Sequence, residues 1–308
     1  MNFTTKVKTE LLEDIPSARH CRIAELGGIV RSLGKISDED NHLEIFSDNN
    51  LVIKKAEKLL KKIFPVDNIA KIIYDIKRSG KESGKIVFTP DQTEELLTIL
   101  KMNAKLVVKP LLYTMTCCKR AYLRGVFLSL GTLTDPNKDY HFELSCPDEI
   151  LAGELQEIIS EFDVESKVVR RRCKFVVYIK DSEKISELLS LLGAQVAMME
   201  LENVKILKEV RNQVNRQVNC DSANINKALT ASRKQLEDIS FLREKTGLEG
   251  LSEELIETAL LREKYPEATL AELVMYNGET VGKSGINHRL KKLSDIAEKL
   301  RRGEKNDY

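Results

Sequence analysis

The chain has 308 residues and a mass of 35.0 kDa, enough for two or three domains that each bury their own core. With 42% hydrophobic and 31% charged residues and no apolar run of membrane-spanning length, the composition excludes an integral membrane protein and predicts a soluble one. A formal net charge of +1 excludes a uniformly basic nucleic-acid binder, so any surface that attracts nucleic acid must be local. Charged residues near the N-terminus (Lys6, Lys8 and Glu10) stand where a signal peptide needs an apolar core, which predicts a cytoplasmic location.

The cysteines show no spacing typical of a metal site or a disulfide framework. They form no CxxC pair, and no histidine stands near them at zinc-finger spacing. We therefore expect reduced, mostly buried thiols, with neither a metal nor a cofactor. The six are Cys21, Cys117, Cys118, Cys146, Cys173 and Cys220.

A glycine-containing segment near the N-terminus occurs twice. LGGIVRSLG at 26–34 returns 97 residues later as LRGVFLSLG at 123–131. Further matches follow in the same order, at Asp38/Asp135 and then, after a two-residue insertion, at His42/His141 and Glu44/Glu143. Chance rarely keeps order, spacing and residue type together, so the sequence predicts an internal duplication.

Each copy has the same predicted elements: a glycine-containing helix, strands, an amphipathic helix, a β-hairpin and a closing helix. The helices carry apolar residues at three- and four-residue spacing, whereas the hairpins alternate Val, Ile, Phe and Tyr with charge. This pattern predicts an α+β unit used twice with pseudo-twofold symmetry. Asp38 and Asp135 lie near the strand boundaries, where we expect Asx turns rather than metal ligands.

The repeated glycines predict where the two copies meet. A glycine inside a helix costs about 1 kcal/mol relative to alanine. Because Gly28 and Gly125 have no Cβ, two such helices approach backbone to backbone, and that contact offsets the cost. We therefore place the seam between the copies at these two residues.

The second hairpin contains the basic segment RRRCK at 170–174. Strand alternation is expected to direct Arg170, Arg172 and Lys174 to one face, where they would suit consecutive DNA phosphates. A solvated sheet face explains the same residues equally well, so a secondary DNA contact here is left open.

A polar segment near residue 200 changes the character of the chain. The run RNQVNRQVNCDSANINKAL at 211–229 is rich in Asn and Arg with few large apolar side chains, which predicts a linker between domains over residues 203–225. Asp221 is expected to cap a helix that runs to about Lys245, with Gly247 at its end. The Asn and Arg residues either grip phosphates or brace the linker, and the sequence favours bracing.

The last eighty residues predict a helix-turn-helix. Ser252 begins one helix, and a capping box of Thr269 and Glu272 begins the short helix LAELVMY. The turn NGETVG follows, and KSGINHRLKKLSDIAEKL then forms a helix with one apolar side.

The opposite side of that last helix has the composition of a DNA-reading surface. Asn pairs with adenine, Lys and Arg contact guanine or phosphate, and Ser holds a phosphate at a helix start. Seven basic and two acidic residues between 281 and 302 give a local positive patch. The predicted DNA-binding residues are Lys283, Ser284, Asn287, His288, Arg289, Lys291 and Lys292.

The duplicated segments resemble the LAGLIDADG homing endonucleases, in which the eighth residue of each motif is an acidic ligand of the catalytic metal. Leucines occupy those positions here, Leu33 and Leu130, while Arg31 and Leu128 occupy the sixth. Leucine offers no oxygen to Mg²⁺. The resemblance therefore implies the endonuclease fold without a catalytic residue, and the chain is not predicted to be an enzyme.

The C-terminal segment resembles a sigma-factor region-4 helix-turn-helix, and RGVFLSLGTLTDPNKDYHFEL, NCDSANINK and VGKSGINHRLKKL occur in the order of the WhiA family. That resemblance covers nearly the whole chain. It implies a DNA-binding transcriptional regulator linked to sporulation and to cell division and chromosome segregation. The alternative is a protein-interaction scaffold that acts in cell division and binds DNA only weakly.

The expected fold is therefore α+β, with a duplicated LAGLIDADG-like domain followed by an all-α helix-turn-helix domain. The predicted boundaries are 1–110 and 111–202 for the repeats, 203–225 for the linker and 226–308 for the last domain. The expected partners are double-stranded DNA in the nucleoid and a second regulatory protein, with no membrane. A monomer is expected because the duplication already supplies the symmetry of a dimer.

Overall fold

The structure of the protein, a computed structural model, describes residues 2–37, 39–64, 70–76 and 82–303. The chain divides into two compact units between Lys208 and Glu209. Among the described helices, none has both the length and the apolar character needed to cross a bilayer.

The first unit contains the two repeats, and their elements alternate as the duplication predicts. After α1 (Phe3–Glu13), the first repeat comprises α2 (Arg19–Leu33), β1 (Gly34–Ile36), β2 (Leu43–Ser47), α3 (Asn50–Ile63), β3 (Lys71–Ile76), β4 (Glu82–Val87) and α4 (Pro90–Ile99). A 3-10 turn at Pro110–Tyr113 precedes the second repeat, which comprises α5 (Thr116–Leu130), β5 (Gly131–Leu133), β6 (Phe142–Cys146), α6 (Glu149–Ser160), β7 (Lys167–Arg171), β8 (Lys174–Ile179) and α7 (Ser182–Leu192).

Each repeat forms one four-stranded antiparallel sheet. The strand orders are β1-β2-β4-β3 and β5-β6-β8-β7, which are the same arrangement in the two copies. Alternation within β6 buries Phe142, Leu144 and Cys146 and leaves the residues between them partly exposed. Side chains from both repeats belong to one continuous apolar core. The predicted α+β duplication is confirmed.

Small polar contacts repeat as well. The Ser32 hydroxyl donates to the carbonyl of Gly28 at 2.7 Å, and the Ser129 hydroxyl donates to that of Gly125 at 2.9 Å. The Asp135 carboxylate accepts the backbone N–H of Asn137 at 2.9 Å, which is the predicted Asx turn. Its counterpart Asp38 lies outside the described residues.

Helices α2 and α5 meet with almost no space between their backbones. A Cβ added to Gly28 would lie 2.3 Å from the carbonyl oxygen of Tyr122, and one added to Gly125 would lie 2.1 Å from that of Glu25. Both obstacles are backbone atoms in helices, which cannot turn away as a side chain can. The structure therefore places the two glycines at the closest approach of the repeats.

A buried ion pair fills the space beside this contact. Lys55 of α3 lies 3.1 Å from the carboxylate of Glu25, and both side chains are fully buried. Arg124 of α5 stands 3.8 Å from the same carboxylate and 2.7 Å from that of Asp14. Burial raises the pKa of Glu25, although Lys55 and Arg124 oppose that rise. The position of Glu25 in the second repeat is occupied by Tyr122, so these charges distinguish the two copies.

A second ion pair links the repeats directly. The guanidinium of Arg31 on α2 donates two hydrogen bonds to Asp148, at 2.9 and 2.8 Å, and Arg31 is 6% exposed. Asp148 also caps α6 by accepting the backbone N–H of Leu151 at 2.8 Å. Burial alone would raise the pKa of Asp148, but the hydrogen bonds from Arg31 and Leu151 outweigh it and lower the pKa.

The second unit is helical and has its own core. Its elements are the C-terminal part of α8 (Gln195–Thr246), then α9 (Glu253–Lys264), α10 (Leu270–Tyr276) and α11 (Lys283–Arg301). Both bonds of the predicted capping box are present, since Thr269 accepts from the N–H of Glu272 and Glu272 accepts from that of Thr269. The two helices of the predicted helix-turn-helix, α10 and α11, are thus confirmed.

The predicted helix start at Asp221 was wrong, whereas the connecting role of the polar segment 203–225 stays a prediction. The segment is helical throughout, and Asp221 lies inside α8 instead of capping its start. The helix begins at Gln195, where the Glu10 carboxylate accepts the backbone N–H groups of Val196 and Ala197. No Gly or Pro interrupts residues 195–246, and every residue from 209 to 231 is exposed. The helical spacing of Val210, Val214, Val218, Ile225 and Leu229 indicates this helix in the sequence, but the many polar residues between them conceal it.

Gly125→Ala should lower the free energy of unfolding by about 3 kcal/mol, because the added methyl group overlaps a backbone carbonyl. Urea unfolding of both proteins measures the difference. The matched control is Gly153→Ala in α6, where a Cβ would meet nothing within 4 Å. That control should raise stability by about 0.5–1 kcal/mol. Equal effects at the two positions would contradict a glycine-dependent seam.

Asp148→Asn keeps the helix cap but removes the charge that Arg31 binds. Because Asp148 is partly exposed, we expect a loss of only about 1–2 kcal/mol at pH 7. A lowered pKa means that the carboxylate stabilises the fold above its unfolded pKa of about 3.9 and loses this effect as the pH falls through the folded value. The difference between the two proteins should therefore shrink in acid. Asp181→Asn, which alters the cap of α7, is the control, and a pH-independent gap for Asp148→Asn would refute the assignment.

Candidate nucleic-acid interface

The turn between α10 and α11 has a defined backbone. Gly278 and Glu279 both have positive φ angles, 64° and 57°. The Asn277 side-chain amide donates to the Thr280 hydroxyl at 2.9 Å, and that hydroxyl donates to the Asn277 carbonyl at 3.0 Å. This local bonding fixes how α11 follows α10, which is what a recognition helix requires.

Helix α11 has one buried side and one open side. Ile286, Leu290 and Leu293 are each 1% exposed and pack into the core of the second unit. Six of the seven residues predicted to bind DNA are exposed, including Lys283 at the first position of the helix. The six are Lys283, Ser284, Asn287, His288, Lys291 and Lys292.

Arg289 is the exception. Its side chain is 17% exposed and lies 3.3 Å from the carboxylate of Glu254 and 3.9 Å from that of Glu257, both on α9. Arg289 is therefore already paired with α9, and its contact with DNA stays a prediction. Helical periodicity places Arg289 about a quarter turn from the buried side of α11, between its two sides. The ion pairs with Glu254 and Glu257 then orient its side chain toward α9.

The start of α11 has open backbone donors. Gly282 occupies the cap position, and no described side chain caps the helix there. The first N–H groups of a helix have no intrahelical partner, and together with the helix dipole they attract anions. A phosphate group beside Lys283 and Ser284 would meet donors from both backbone and side chains.

The basic hairpin of the first unit is arranged differently from the prediction. Arg171 pairs with Lys174 and Arg170 pairs with Phe175, so Arg170 and Lys174 lie on opposite faces of the sheet. Arg172 lies in the two-residue turn between the strands, with φ 54°. The predicted single row of Arg170, Arg172 and Lys174 was wrong because the turn interrupts strand alternation.

The open face of this sheet carries a different basic set. Register places Lys167, Arg171 and Lys174 on the face that Glu143 and Tyr178 share. Arg171 lies 3.1 Å from the carboxylate of Glu143, so part of that charge is already neutralised. The face is mixed in charge and not strongly basic, which makes it a weaker phosphate-binding surface than α11.

Leu33 lines a groove of about 370 Å³ on the first sheet. Glu44 lines the same groove, and its carboxylate lies 3.2 Å from His42 and 2.5 Å from Lys85. The hydrogen bond from Lys85 lowers the pKa of Glu44. Glu44, a carboxylate that lines this groove with Leu33, is thus already engaged by Lys85.

Sequence reasoning missed one cluster of polar side chains. His20 and Cys21 of α2 meet Cys117 and Cys118 of α5, with their potential ligand atoms all within 4.8 Å of one another. Burial, reinforced by the neighbouring thiols, raises the pKa of the Cys21 thiol to about 12. Local spacing does not show this cluster, because the fold brings together two pairs that are far apart in sequence. The signal was available, because both pairs occupy the same two positions of the repeat.

Comparisons with known proteins follow the same division of the chain. The sequence model of the WhiA LAGLIDADG-like domain matches residues 24–105 and 119–211, and that of the WhiA C-terminal HTH domain matches residues 214–297. Two similar proteins are each named "Probable cell division protein WhiA". The one from Lachnoclostridium phytofermentans is 42% identical and covers 98% of this chain and 100% of its own. The one from Lachnospira eligens is 38% identical and covers 98% of each.

Two solved structures share the fold. Full-length DUF199/WhiA from Thermatoga maritima superposes with a TM-score of 0.62 at 26% identity, covering 97% of this chain and 99% of that one. The N-terminal LAGLIDADG domain of DUF199/WhiA gives a TM-score of 0.51 at 19% identity, covering 63% of this chain and 94% of that one. At that identity the second match supports the fold alone.

Proposed function

We propose, from the premise that this chain belongs to the WhiA family, that it is a sequence-specific DNA-binding transcriptional regulator. The observation that carries the proposal is the exposed side of α11, which presents lysines, amide and hydroxyl groups together. Such a mixture suits a major groove, because the lysines neutralise phosphates and the amide reads base edges.

The exposed residues divide into two roles. Lys283, Lys291 and Lys292 contribute affinity through the backbone phosphates and carry no sequence information. Asn287 and His288 contribute specificity, since an Asn amide pairs bidentately with adenine in the major groove. Arg289 pairs with Glu254 and Glu257 on α9, so we expect it to contribute less to DNA binding than the three lysines.

The duplicated domain serves in this proposal as a scaffold without nuclease chemistry. Leu33 and Leu130 provide no oxygen ligand at the eighth motif positions. Arg31, at a sixth position, is held by Asp148 in the seam between repeats. Residues that would serve metal chemistry in an endonuclease are thus apolar or committed to structure.

The biological role follows the relatives. Their printed name is that of a probable cell division protein, and we assign this chain to the same process, through control of transcription in sporulation and chromosome segregation at the nucleoid. We retain the boundaries 1–110, 111–202 and 226–308 for the two repeats and the DNA-binding domain, with 203–225 as a helical connection. A monomer with a second regulatory protein as partner completes the proposal.

A protein-interaction scaffold is the second candidate function. It is favoured by large apolar side chains that are exposed along α8, which a protein partner would cover. They are Ile206, Leu207, Val210, Val214, Val218, Ile225 and Leu229.

Replacing Lys283, Lys291 and Lys292 together by alanine should weaken binding of the full chain to DNA. Each lysine that contacts a phosphate adds about one to the slope of log affinity against log salt, so the slope should fall by about three. Fluorescence anisotropy across a salt series measures both quantities. Asn287→Ala should instead leave the slope unchanged and relax sequence preference, at a cost of about 1–3 kcal/mol for the preferred site.

The matched control removes the same charge elsewhere, with Lys58, Lys101 and Lys105 changed to alanine. These lysines are exposed in the first unit, away from α11 in sequence. If the control lowered the slope as much as the α11 variant, the effect would be one of net charge only. An unchanged slope in the α11 variant would favour the scaffold function, and a loss confined to Lys167, Arg171 and Lys174 variants would move DNA binding to the sheet face.

Incubation of the full chain with bound DNA and Mg²⁺ or Mn²⁺ should give no strand breaks. Leucine at both motif positions leaves the metal without protein oxygen ligands there. Gel analysis of supercoiled plasmid detects a single nick per molecule. Cleavage that depends on the added metal and persists through purification of the chain would refute the non-catalytic assignment.

A further inference from the structure

Four side chains that bind soft metals meet at one end of the seam. His20 and Cys21 occupy the second and third positions of α2, and Cys117 and Cys118 occupy the same positions of α5. Pseudo-twofold symmetry therefore brings two equivalent pairs together from residues 97 apart in sequence.

The distances fit a single tetrahedral ion. The Nδ1 atom of His20 lies 3.2, 3.4 and 3.9 Å from the sulfur atoms of Cys118, Cys21 and Cys117. Zinc bonds of about 2.0–2.1 Å to nitrogen and 2.3 Å to sulfur require a nitrogen–sulfur edge of roughly 3.5 Å in a tetrahedron. The three distances bracket that value, and all four ligand atoms lie within 4.8 Å of one another.

Without a metal, burial and the neighbouring thiols raise the pKa of Cys21, and a bound divalent cation would lower it by stabilising the thiolate. All four residues lie in the first turns of α2 and α5, where the helix dipoles and open N–H groups stabilise negative charge. The pairs are also flanked in sequence by Arg19, Arg22 and Arg120, whereas the neighbouring Lys119 is already paired with Glu161. Three thiolates and one neutral imidazole around a divalent cation carry a net charge of −1, which these features offset.

Access and chemistry point to a structural site. Cys21 and Cys118 are buried, whereas His20 and Cys117 are exposed, so an ion can enter from solvent and be enclosed by the buried pair. Three sulfurs and one imidazole nitrogen are the ligand set of structural zinc, which uses four protein ligands and leaves no open position.

We propose that His20, Cys21, Cys117 and Cys118 bind one Zn²⁺ ion, which fastens the first turns of α2 and α5 to each other. The glycine contact holds the middle of the same two helices, so the metal would secure the end that this contact does not reach. The ion has a structural role, and the inference is independent of DNA binding by α11.

The test uses the purified full chain, with metal removed by a chelator under reducing conditions and then titrated with Zn²⁺ or Co²⁺. We expect one Zn²⁺ per chain by elemental analysis. The Co²⁺ form should show thiolate charge-transfer absorption and the intense visible bands of a tetrahedral site. Zn²⁺ should raise Tm by about 5 °C or more over the metal-free chain.

Cys117→Ser and His20→Gln change exposed ligands and leave the core intact, so both variants should fold. Each should weaken Zn²⁺ binding at least tenfold and lose the Co²⁺ spectrum. Cys173→Ser and Cys220→Ser alter exposed cysteines outside the cluster and should match the parent chain. A Zn²⁺ content near zero per chain or an octahedral Co²⁺ spectrum would overturn the proposal. So would an unchanged Zn²⁺ affinity in the ligand variants, or a Cys21–Cys118 disulfide instead of a metal site.

Discussion

The fold depends on the close approach of α2 and α5 at Gly28 and Gly125. Each glycine lies against a backbone carbonyl of the other helix, at a distance that no side chain could accept. Because the helices meet at backbone distance, the residues around them merge into one core that both repeats share. Neither repeat buries its seam-facing surface alone, so the duplication is a structural requirement and not only a trace of ancestry.

Two ion pairs beside the glycine contact depart from the pseudo-twofold symmetry of the repeats. Glu25 with Lys55, and Arg31 with Asp148, are present in one orientation only, since Tyr122 and Leu128 occupy the equivalent positions of Glu25 and Arg31 in the second repeat. The Glu25–Lys55 pair is fully buried, so the loss of one partner would leave an unpaired charge at a cost of about 3–5 kcal/mol, whereas the partly exposed Asp148 makes the second pair less costly to break. These ion pairs therefore make the two repeats non-equivalent at the contact between α2 and α5. Arg31 is thus part of the seam, whereas Leu128 at the same position of the second repeat lies in the shared core.

Much of the architecture could be predicted from the sequence, because local signals and the tertiary fold agree. The repeated glycines gave the duplication, and the Thr269–Glu272 capping box gave the start of α10 within one residue. The prediction failed where tertiary partners decide. Glu254 and Glu257 draw Arg289 away from the open side of α11, and a two-residue turn separates Arg170 from Lys174. Helical or strand periodicity predicts neither the orientation of Arg289 nor the separation of Arg170 from Lys174.

The start of α8 and the cluster of His20 and three cysteines were also not predicted from the sequence. Residues 209–231 are all exposed, so polar residues predominate in this part of the helix and conceal its helical pattern. The His20, Cys21, Cys117 and Cys118 cluster is assembled by symmetry and not by spacing, which hides it from any search for short motifs. Aligning the two repeats position by position reveals the cluster, because its two pairs occupy equivalent positions.

Hydrogen exchange of the full chain, with and without a DNA fragment that it binds selectively, tests whether α11 reads DNA. Backbone amides at 282–292 should exchange more slowly in the complex, because phosphates and base edges cover the start and the open side of α11. Exchange in α2 and α5 should be slow with or without DNA. Protection confined to strands β6–β8, with α11 unchanged, would contradict the claim that this helix reads DNA.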